Sequence, residues 1–217
     1  MKRPEPRRDG FLDAEAVQDL MARAKDPARA VAPRELAAVA EALRAPGPDA
    51  ARAYELLYVL GRAYAFEHEA LIASFLESPQ DPVLARLALQ ILCTFWDRTA
   101  SYLHQVRRFV ERLEWDEFGD VRSMAFTVAG RHLRENVDCS LFGYLVLASG
   151  EGDDGAGFDA LRAIGVALGE SDMLGASQGR LRRERERLLA EADRWMESRC
   201  RRRRSDRPGR SRQKDTK

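Results

Sequence analysis

The residue types that most often carry out enzymatic chemistry are few in this 217-residue sequence and lie far apart. The histidines His68, His104 and His132 do not lie at metal-ligand spacing from one another or from a cysteine. No Cys-x-x-Cys pair is present, and no serine lies in a Gly-x-Ser-x-Gly context. The sequence therefore predicts a protein that is not an enzyme and that binds no metal and no cofactor.

The cysteines and the N-terminus bear on the compartment. Cys93, Cys139 and Cys200 are odd in number and widely spaced, which is typical of reduced thiols, and we expect Cys93 and Cys139 to be buried and inert. No apolar signal segment follows the basic N-terminus, and no apolar run approaches the length of a membrane span. The sequence predicts a cytoplasmic protein without a membrane partner.

Two short segments combine large aromatic residues with carboxylates, which is the usual composition of an interface hot spot. One segment is Trp96-Asp97, near the end of a strongly apolar helix, and the other is a loop before the next Asp-initiated helix. In an alternative interpretation, Trp115 and Phe118 pack under this loop and close the core. The predicted binding residues are Trp96, Asp97, Trp115, Asp116, Glu117 and Phe118.

Basic residues offer a nucleic-acid alternative. Ten of the 36 Lys and Arg residues and two of the 35 Asp and Glu residues lie in residues 199–217, so this tail carries a net charge of +8 and the remaining chain −7. We expect the tail to be disordered and able to neutralise phosphates without sequence preference. The body would contribute Arg86, Arg122, Arg131 and Arg162, although its acidic total opposes a DNA groove.

The elements that position these residues form a repeated pattern. Four segments place a small alanine among larger apolar residues, with anchors at Ala53, Ala88, Ala125 and Ala163. The spacing of 35 to 38 residues indicates stacked helix pairs, none of which buries its apolar face alone. Ala, Leu, Arg and Glu are abundant and favour helix, and no strand pattern is present. The sequence predicts an all-α fold.

Caps and prolines predict where the helices begin and end. Asp49, Asp81 and Asp120 each precede an apolar stripe, and we expect each carboxylate to cap the helix that follows. Two further predicted helices span residues 13–25 and about 100–113, and Pro33 opens another. We expect Val83 to face the interior of its helix pair. The apolar spacing in residues 177–198 predicts a charged helix with a narrow apolar stripe.

The Asp-initiated second helices resemble those of the HEAT-repeat family. The resemblance rests on Asp120-Val121-Arg122 with Ala125, on Asp81-Pro82-Val83 with Arg86 and Ala88, and loosely on Asp159 with Arg162-Ala163. It covers about residues 67–168. It implies an α-solenoid whose second helices line a concave face.

The expected organisation is one helical-repeat domain with flanking segments. A disordered N-terminus (1–10) precedes about four HEAT-like helix pairs (11–170), which a charged capping helix (177–198) and the basic disordered tail (199–217) follow.

Function is predicted only at the level of class, because this scaffold serves many roles. The first hypothesis is a non-enzymatic scaffold that binds another protein, and one version of it is an immunity protein that neutralises a basic toxin. The alternative is a HEAT-like DNA-binding protein or an alkylpurine DNA glycosylase, with Trp96 and Asp97 at its site. A chromophore-lyase or assembly role is known for other HEAT arrays, but no residue here indicates a pigment.

Overall fold

The computed structural model describes residues 12–26, 28–45, 49–151 and 155–201, and over these ranges it is all-helical with no β-strand. The prediction of an all-α fold is confirmed. The chain divides into two compact units, residues 1–128 and 129–217. The predicted segment 1–10, and the tail after residue 201, lie outside the described residues.

Among its described residues, the first unit contains six helices and the start of a seventh, with two 3₁₀ turns (Phe66–His68 and Phe75–Glu77) beside the fourth. The fifth helix continues directly into a π-helical segment, Ile91–Phe95. The helices are α1 (Ala14–Lys25), α2 (Pro33–Arg44), α3 (Ala50–Arg62), α4 (Glu69–Ser74), α5 (Pro82–Gln90), α6 (Leu103–Val110) and α7 (Asp120–Glu135), within which the division of the chain falls.

In the part of the second unit that the structure describes, three helices follow the end of α7. These are α8 (Cys139–Ser149), α9 (Gly155–Ala167) and α10 (Gln178–Met196), with a 3₁₀ segment Ser171–Gly175 before α10. The apolar stripe of α10 is confirmed: Leu181 and Leu188 are buried in a cluster with Phe158 and Met173. A π-helical turn, Glu197–Arg201, follows α10, so the first three residues of the predicted disordered tail are helical.

Local sequence accounts for most helix starts in the first unit. The carboxylates of Asp13 and Asp49 accept hydrogen bonds from backbone N–H groups in the first turns of α1 and α3, and Asp81 accepts two from the first turn of α5. Pro33 and Pro82 each occupy the first helical position, where a missing N–H has no consequence. These predicted starts are confirmed.

The alanines at the four predicted anchors lie in the interior. Ala53, Ala88, Ala125 and Ala163 are all buried. In the second unit, a Cβ atom added at Gly130 would lie 2.7 Å from the carbonyl oxygen of Ala163, so α7 and α9 approach each other closely at that anchor. Small residues there allow backbone contact that larger side chains would prevent.

Three details of the first unit differ from the sequence predictions. Asp120 does not cap α7; the cap is Asp116, whose carboxylate accepts hydrogen bonds from the Val121 and Arg122 N–H groups at 3.2 and 2.9 Å. Asp116 reaches the start of the helix because Gly119, at φ +73°, turns the preceding loop back over it. Val83 is exposed, since at the second position of α5 it lies outside the buried face. Helix α6 spans only Leu103–Val110, because residues 98–102 form turns.

The prediction of reduced cysteines is wrong for two of the three. Cys139 and Cys200 form a disulfide within the second unit, with their Cα atoms 5.8 Å apart. Cys139 begins α8 and Cys200 lies in the π-helical turn after α10. The disulfide therefore joins the start of α8 to the end of α10, across 61 residues of sequence. Cys93 is free and buried, and burial raises its pKa to about 12. The cysteine pattern therefore gives no support to a reducing compartment.

Candidate functional site

A set of aromatic and arginine side chains, some of them exposed, lies in the first unit where α3 and the π-helical segment end. We call Arg62, Tyr64, Phe66, Trp96 and Arg98 the aromatic–arginine surface. It depends on a close contact between two helices: a Cβ atom added at residue 61 would lie 2.4 Å from Ile91 Cγ1. Glycine at this position therefore allows the π-helical segment to pack directly on α3.

Trp96 fixes the same contact from the other side. Its indole ring is buried, and the Nε1–H donates to the carbonyl of Gly61 at 2.9 Å. A buried indole N–H needs such an acceptor, because an unpaired donor in the interior costs about 1–3 kcal/mol. The hydrogen bond ties the end of α5 and its π-helical extension to the end of α3.

The backbone leaves α3 through a residue in the left-handed region. Tyr64 has φ +55°, which is unfavourable for a residue with a bulky side chain. The turn is closed by the Ala65 N–H, which donates to the Leu60 carbonyl at 3.1 Å. It buries Ala65 and leaves the flanking rings of Tyr64 and Phe66 51% and 45% exposed.

The π-helical segment ends in a second unusual turn. Trp96 N–H donates to the Ile91 carbonyl at 2.9 Å, and Arg98 N–H donates to the Leu92 carbonyl at 2.8 Å. Between them, the exposed Asp97 adopts φ +54°. π-Helical turns and strained backbone are frequent at functional sites. Among the described residues, two non-glycine residues have left-handed backbone: Tyr64, which belongs to this surface, and Asp97, which lies beside it.

The rings and guanidinium groups of the surface contact one another. The Phe66 ring centroid lies 4.9 Å from that of Trp96 and 6.0 Å from that of Tyr64. The Arg98 guanidinium lies 5.6 Å above the Phe66 ring, a cation–π arrangement. Arg98 Nε also lies 3.8 Å from a Glu69 carboxylate oxygen. Contacts among the side chains hold them in place while the rings of Tyr64 and Phe66 stay accessible.

A pocket of about 340 Å³ opens beside this surface, and we call it the basic pocket. Its walls are the end of α1, the loop before α2 and the end of α3, and it shares two residues with the aromatic–arginine surface, Arg62 and Tyr64. Its charged lining residues are Arg23, Lys25, Asp26, Arg29 and Arg62.

The binding residues predicted from the sequence differ in how exposed they are. Trp96 belongs to the aromatic–arginine surface as its buried support, and the exposed Asp97 lies on the turn beside it. In the predicted loop, Trp115 is half-buried with its ring edge-on to Phe109 at 6.4 Å, as the core-sealing alternative expects. Asp116 is buried and caps α7, whereas Glu117 is exposed and Phe118 is 88% exposed.

Two of the four arginines of the nucleic-acid alternative are occupied by the fold itself. Arg122 is buried, and its Nε–H donates to the Val110 carbonyl at 2.9 Å. Arg162 donates through Nε to the Ala176 carbonyl at 3.0 Å and pairs with Asp159. Arg86 is half-buried and Arg131 is exposed. The predicted basic face therefore keeps two residues, each on a different unit.

Sequence reasoning missed Arg62, Tyr64, Phe66 and Arg98. A signal was present in Tyr64-Ala-Phe66, where two aromatics flank a small residue directly after the apolar stripe of α3 ends. Such a spacing favours an arrangement in which the two aromatic side chains are exposed and the small residue between them is buried. The π-helical segment leaves no comparable pattern.

Comparisons with family models, curated proteins and solved structures gave no significant match. Within the described ranges, no group of His, Cys, Asp and Glu is arranged to hold a metal ion. Likewise, none of the described helices has the length and apolar character needed to cross a membrane.

Proposed function

We propose that this chain is a non-enzymatic scaffold of HEAT-like helix pairs that binds another protein through the aromatic–arginine surface. The observation that carries the proposal is the exposure of Tyr64 and Phe66 on a hydrogen-bonded turn, with Arg98 over the Phe66 ring and Arg62 lining a pocket together with Tyr64. Tyr, Trp and Arg are the residues most enriched at the energetic centres of protein interfaces. A monomer gains nothing from exposed rings held on strained backbone, whereas a docking surface gains preorganisation.

Overall charge and local charge have separate roles in this proposal. The net −7 of residues 1–198 acts over distance and favours encounter with a basic partner, as an immunity protein that meets a basic toxin would require. Contact is decided by the residues at the surface, which are aromatic and cationic. The immunity role depends on the overall charge alone and is the narrower form of the proposal.

A protein partner is favoured over nucleic acid because of the arginines. Arg122 and Arg162 donate to backbone carbonyls and are not available to phosphates. DNA binding requires several phosphates to be neutralised on one face. The DNA-binding or glycosylase alternative thus keeps only Arg86, Arg131 and the 199–217 tail, and it enters the experiment below as an outcome.

The test is capture of partners from the native cell lysate with a matched pair of variants. Phe66→Ser removes an exposed ring of the surface, and Leu147→Ser removes an apolar side chain of the second unit that is 71% exposed. Capture is run with nuclease, at low and moderate salt, after thermal melting shows that both variants are folded. We expect one discrete protein that wild type and Leu147→Ser retain and Phe66→Ser loses.

Two results would contradict the proposal. Retention of the same protein by Phe66→Ser would place its docking site elsewhere on the chain. Recovery of nucleic acid alone, lost as salt rises and unaffected by Phe66→Ser, would instead favour the basic alternative, because phosphate contacts weaken steeply with salt.

A further inference from the structure

The basic pocket contains four cationic side chains and one carboxylate, but two of the cations are already neutralised. Arg23 donates to both carboxylate oxygens of Glu35, at 2.8 and 2.7 Å, and Arg29 pairs with Asp19 at 3.2 Å. The bidentate pair with Glu35 holds the Arg23 guanidinium in a fixed orientation, whereas Arg29 makes a single, more exposed contact with Asp19. Arg23 and Arg29 therefore build the wall of the pocket and leave little charge for a ligand.

The other two cations have no carboxylate partner within ion-pair distance among the described residues. Lys25 Nζ lies 5.5 Å from the Tyr58 ring centroid, and the Arg62 guanidinium lies 5.1 Å from that of Phe95. Each is thus held by the face of a ring on one side. Both lie on the lining of the pocket, which Arg62 shares with the aromatic–arginine surface.

Arg62 also lacks a hydrogen-bond acceptor. Its Nε is buried and forms no hydrogen bond to any described residue. Buried side-chain donors are nearly always paired, and one left unpaired costs about 1–3 kcal/mol. The buried Nε–H cannot be reached from the pocket, so a ligand carboxylate would form its charge-assisted hydrogen bonds with the other N–H groups of the Arg62 guanidinium, a residue that lines the pocket.

We infer that the basic pocket binds a single carboxylate group of the partner, which pairs with Arg62 and is attracted by Lys25. The inference rests on the proposed function and adds the chemistry of the contacting segment. A carboxylate matches a guanidinium in plane and charge. A phosphate dianion fits less well, because Asp26 and the negative C-terminal ends of α1 and α3 oppose a second negative charge.

The residues around Arg62 and Lys25 indicate which groups of the partner should lie next to its carboxylate. Ala24, Val31 and Ala63 line the pocket beside the cations and suit the aliphatic stem of a side chain. Tyr64 lines the pocket and also contacts Phe66 in the aromatic–arginine surface. A segment with an aromatic residue beside a glutamate, or beside a chain-terminal carboxylate, would therefore occupy both sites together.

The experiment follows the Arg62 Nε–H resonance by NMR during titration with blocked tripeptides. The probes are acetyl-Phe-Glu-Phe-amide, its Gln counterpart, and acetyl-Phe-Gln-Phe with a free terminal carboxylate. We expect saturable shifts with the Glu peptide or the free acid, whichever source fits, and at least about tenfold weaker binding of the Gln amide. Inorganic phosphate is titrated in parallel.

Two arginine variants locate the effect. Arg62→Met keeps the side-chain stem over Phe95 but removes the donors, and Arg98→Met removes the surface arginine that does not line the pocket. We expect Arg62→Met to abolish the preference for Glu over Gln and Arg98→Met to keep it. If melting shows Arg62→Met to be unfolded, Arg62→Lys replaces it; lysine keeps the charge but loses the planar guanidinium, so we then expect the preference for Glu over Gln to weaken and not to disappear.

The outcomes separate this inference from the proposed function. Equal affinity for the Glu and Gln amides, with a free-acid peptide no tighter, overturns the carboxylate site while an aromatic docking surface persists. A stronger response to phosphate than to any peptide overturns it in favour of a phosphate ligand. No Arg62 shift with any carboxylate also overturns it, and partner capture with Phe66→Ser then decides the proposed function alone.

Discussion

The two units treat their aromatic and arginine side chains in opposite ways. In the first unit, Tyr64 and Phe66 lie at the surface, and Arg62 lacks an acceptor for its Nε–H. In the second, the Phe142 and Trp195 rings stack at 4.2 Å, and Arg187 contacts three carboxylates, those of Glu170, Glu184 and Glu191. A disulfide also closes the second unit.

Under the proposed function, this difference gives the two units separate tasks. In the second unit such aromatic and charged groups contact one another: the Phe142–Trp195 stack joins α8 to α10, and Arg187 joins α10 to Glu170, which follows α9. The first unit keeps such groups accessible and holds them on left-handed backbone, a cost of about 1–3 kcal/mol for each strained residue. Natural proteins accept such costs at sites that bind. The predictions below test this contrast, from the largest expected effect to the smallest.

Substitution at a buried anchor should have the largest effect. Ala125 is fully buried, so Ala125→Arg forces a long charged side chain into a helix contact and should unfold the first unit, with a loss above about 4 kcal/mol. Ala190→Arg on the exposed face of α10 is the control and should change stability by less than about 0.5 kcal/mol. Circular dichroism during denaturation measures both, and a normal melting curve for Ala125→Arg would refute the close packing at this anchor.

Removal of the disulfide should destabilise the second unit alone. Cys200→Ser should lower its free energy of unfolding by about 2–4 kcal/mol, because the unfolded chain loses a long closed loop. Trp195 fluorescence reports on this unit, whereas Trp96 and Trp115 report on the first, so Trp195→Phe separates the two signals.

Thiol labelling checks the same bond directly. At pH 8 we expect iodoacetamide to label no cysteine of the folded, oxidised protein, because the pKa of the buried Cys93 thiol is raised to about 12. After mild reduction, mass spectrometry should find two labels, on Cys139 and Cys200. Rapid labelling of those residues without reductant would show that the disulfide is absent.

Local signals made much of the fold predictable. Carboxylate caps and N-terminal prolines act within one helical turn, so Asp49, Asp81 and Pro33 could be recognised in the sequence. The cap of α7 was assigned to the wrong residue because Asp116 reaches it only through the turn at Gly119. The disulfide joins residues 61 positions apart, and such pairing depends on tertiary structure that no spacing rule supplies.

The candidate site was only partly predictable for a similar reason. Trp96 could be selected as an aromatic residue beside a carboxylate, but whether it is exposed or buried depends on the carbonyl of Gly61, which accepts its N–H. The π-helical segment shifts every following residue by a fraction of a turn, so the periodicity of α5 no longer indicates which side chains face outward. Tyr64 and Phe66 become surface residues through a left-handed turn that tyrosine does not favour.

Relief of backbone strain should distinguish stability from binding in the first unit. Tyr64→Asn places a residue that tolerates φ > 0 at this turn, and we expect a gain of about 0.5–1 kcal/mol, measured by denaturation. The same variant should bind partner more weakly, since an exposed ring of the surface is lost. Tyr64→Phe, which keeps the ring and the strain, should change neither by much. A Tyr64→Asn variant that lost stability would show that ring contacts outweigh the strain.

The smallest effect concerns ion pairs, which the units arrange differently. Hydrogen bonds from Arg23 and from the Ala32 N–H lower the pKa of Glu35 to about 2, from an ordinary value of 4.5. A carboxylate whose pKa is lowered on folding stabilises the protein above the ordinary value, and that contribution is lost as pH falls from about 4.5 through about 2. Glu35→Gln should therefore lower the melting temperature at pH 7 by about 2 °C and have no effect near pH 2.

Glu170→Gln in the second unit is the informative comparison. Arg187 loses one carboxylate in that variant but keeps Glu184 at 2.7 Å and Glu191 at 3.1 Å, so its charge stays compensated. Arg23, in contrast, would keep a single carboxylate, Asp19 at 3.3 Å, beside the Ala30 carbonyl at 3.0 Å, and the Ala32 N–H would lose its carboxylate acceptor. We expect calorimetry at pH 7 to show the larger shift for Glu35→Gln. An equal or larger shift for Glu170→Gln would mean that the carboxylates around Arg187 act as one cooperative network, and that the second unit depends on each of its contacts as strongly as the first.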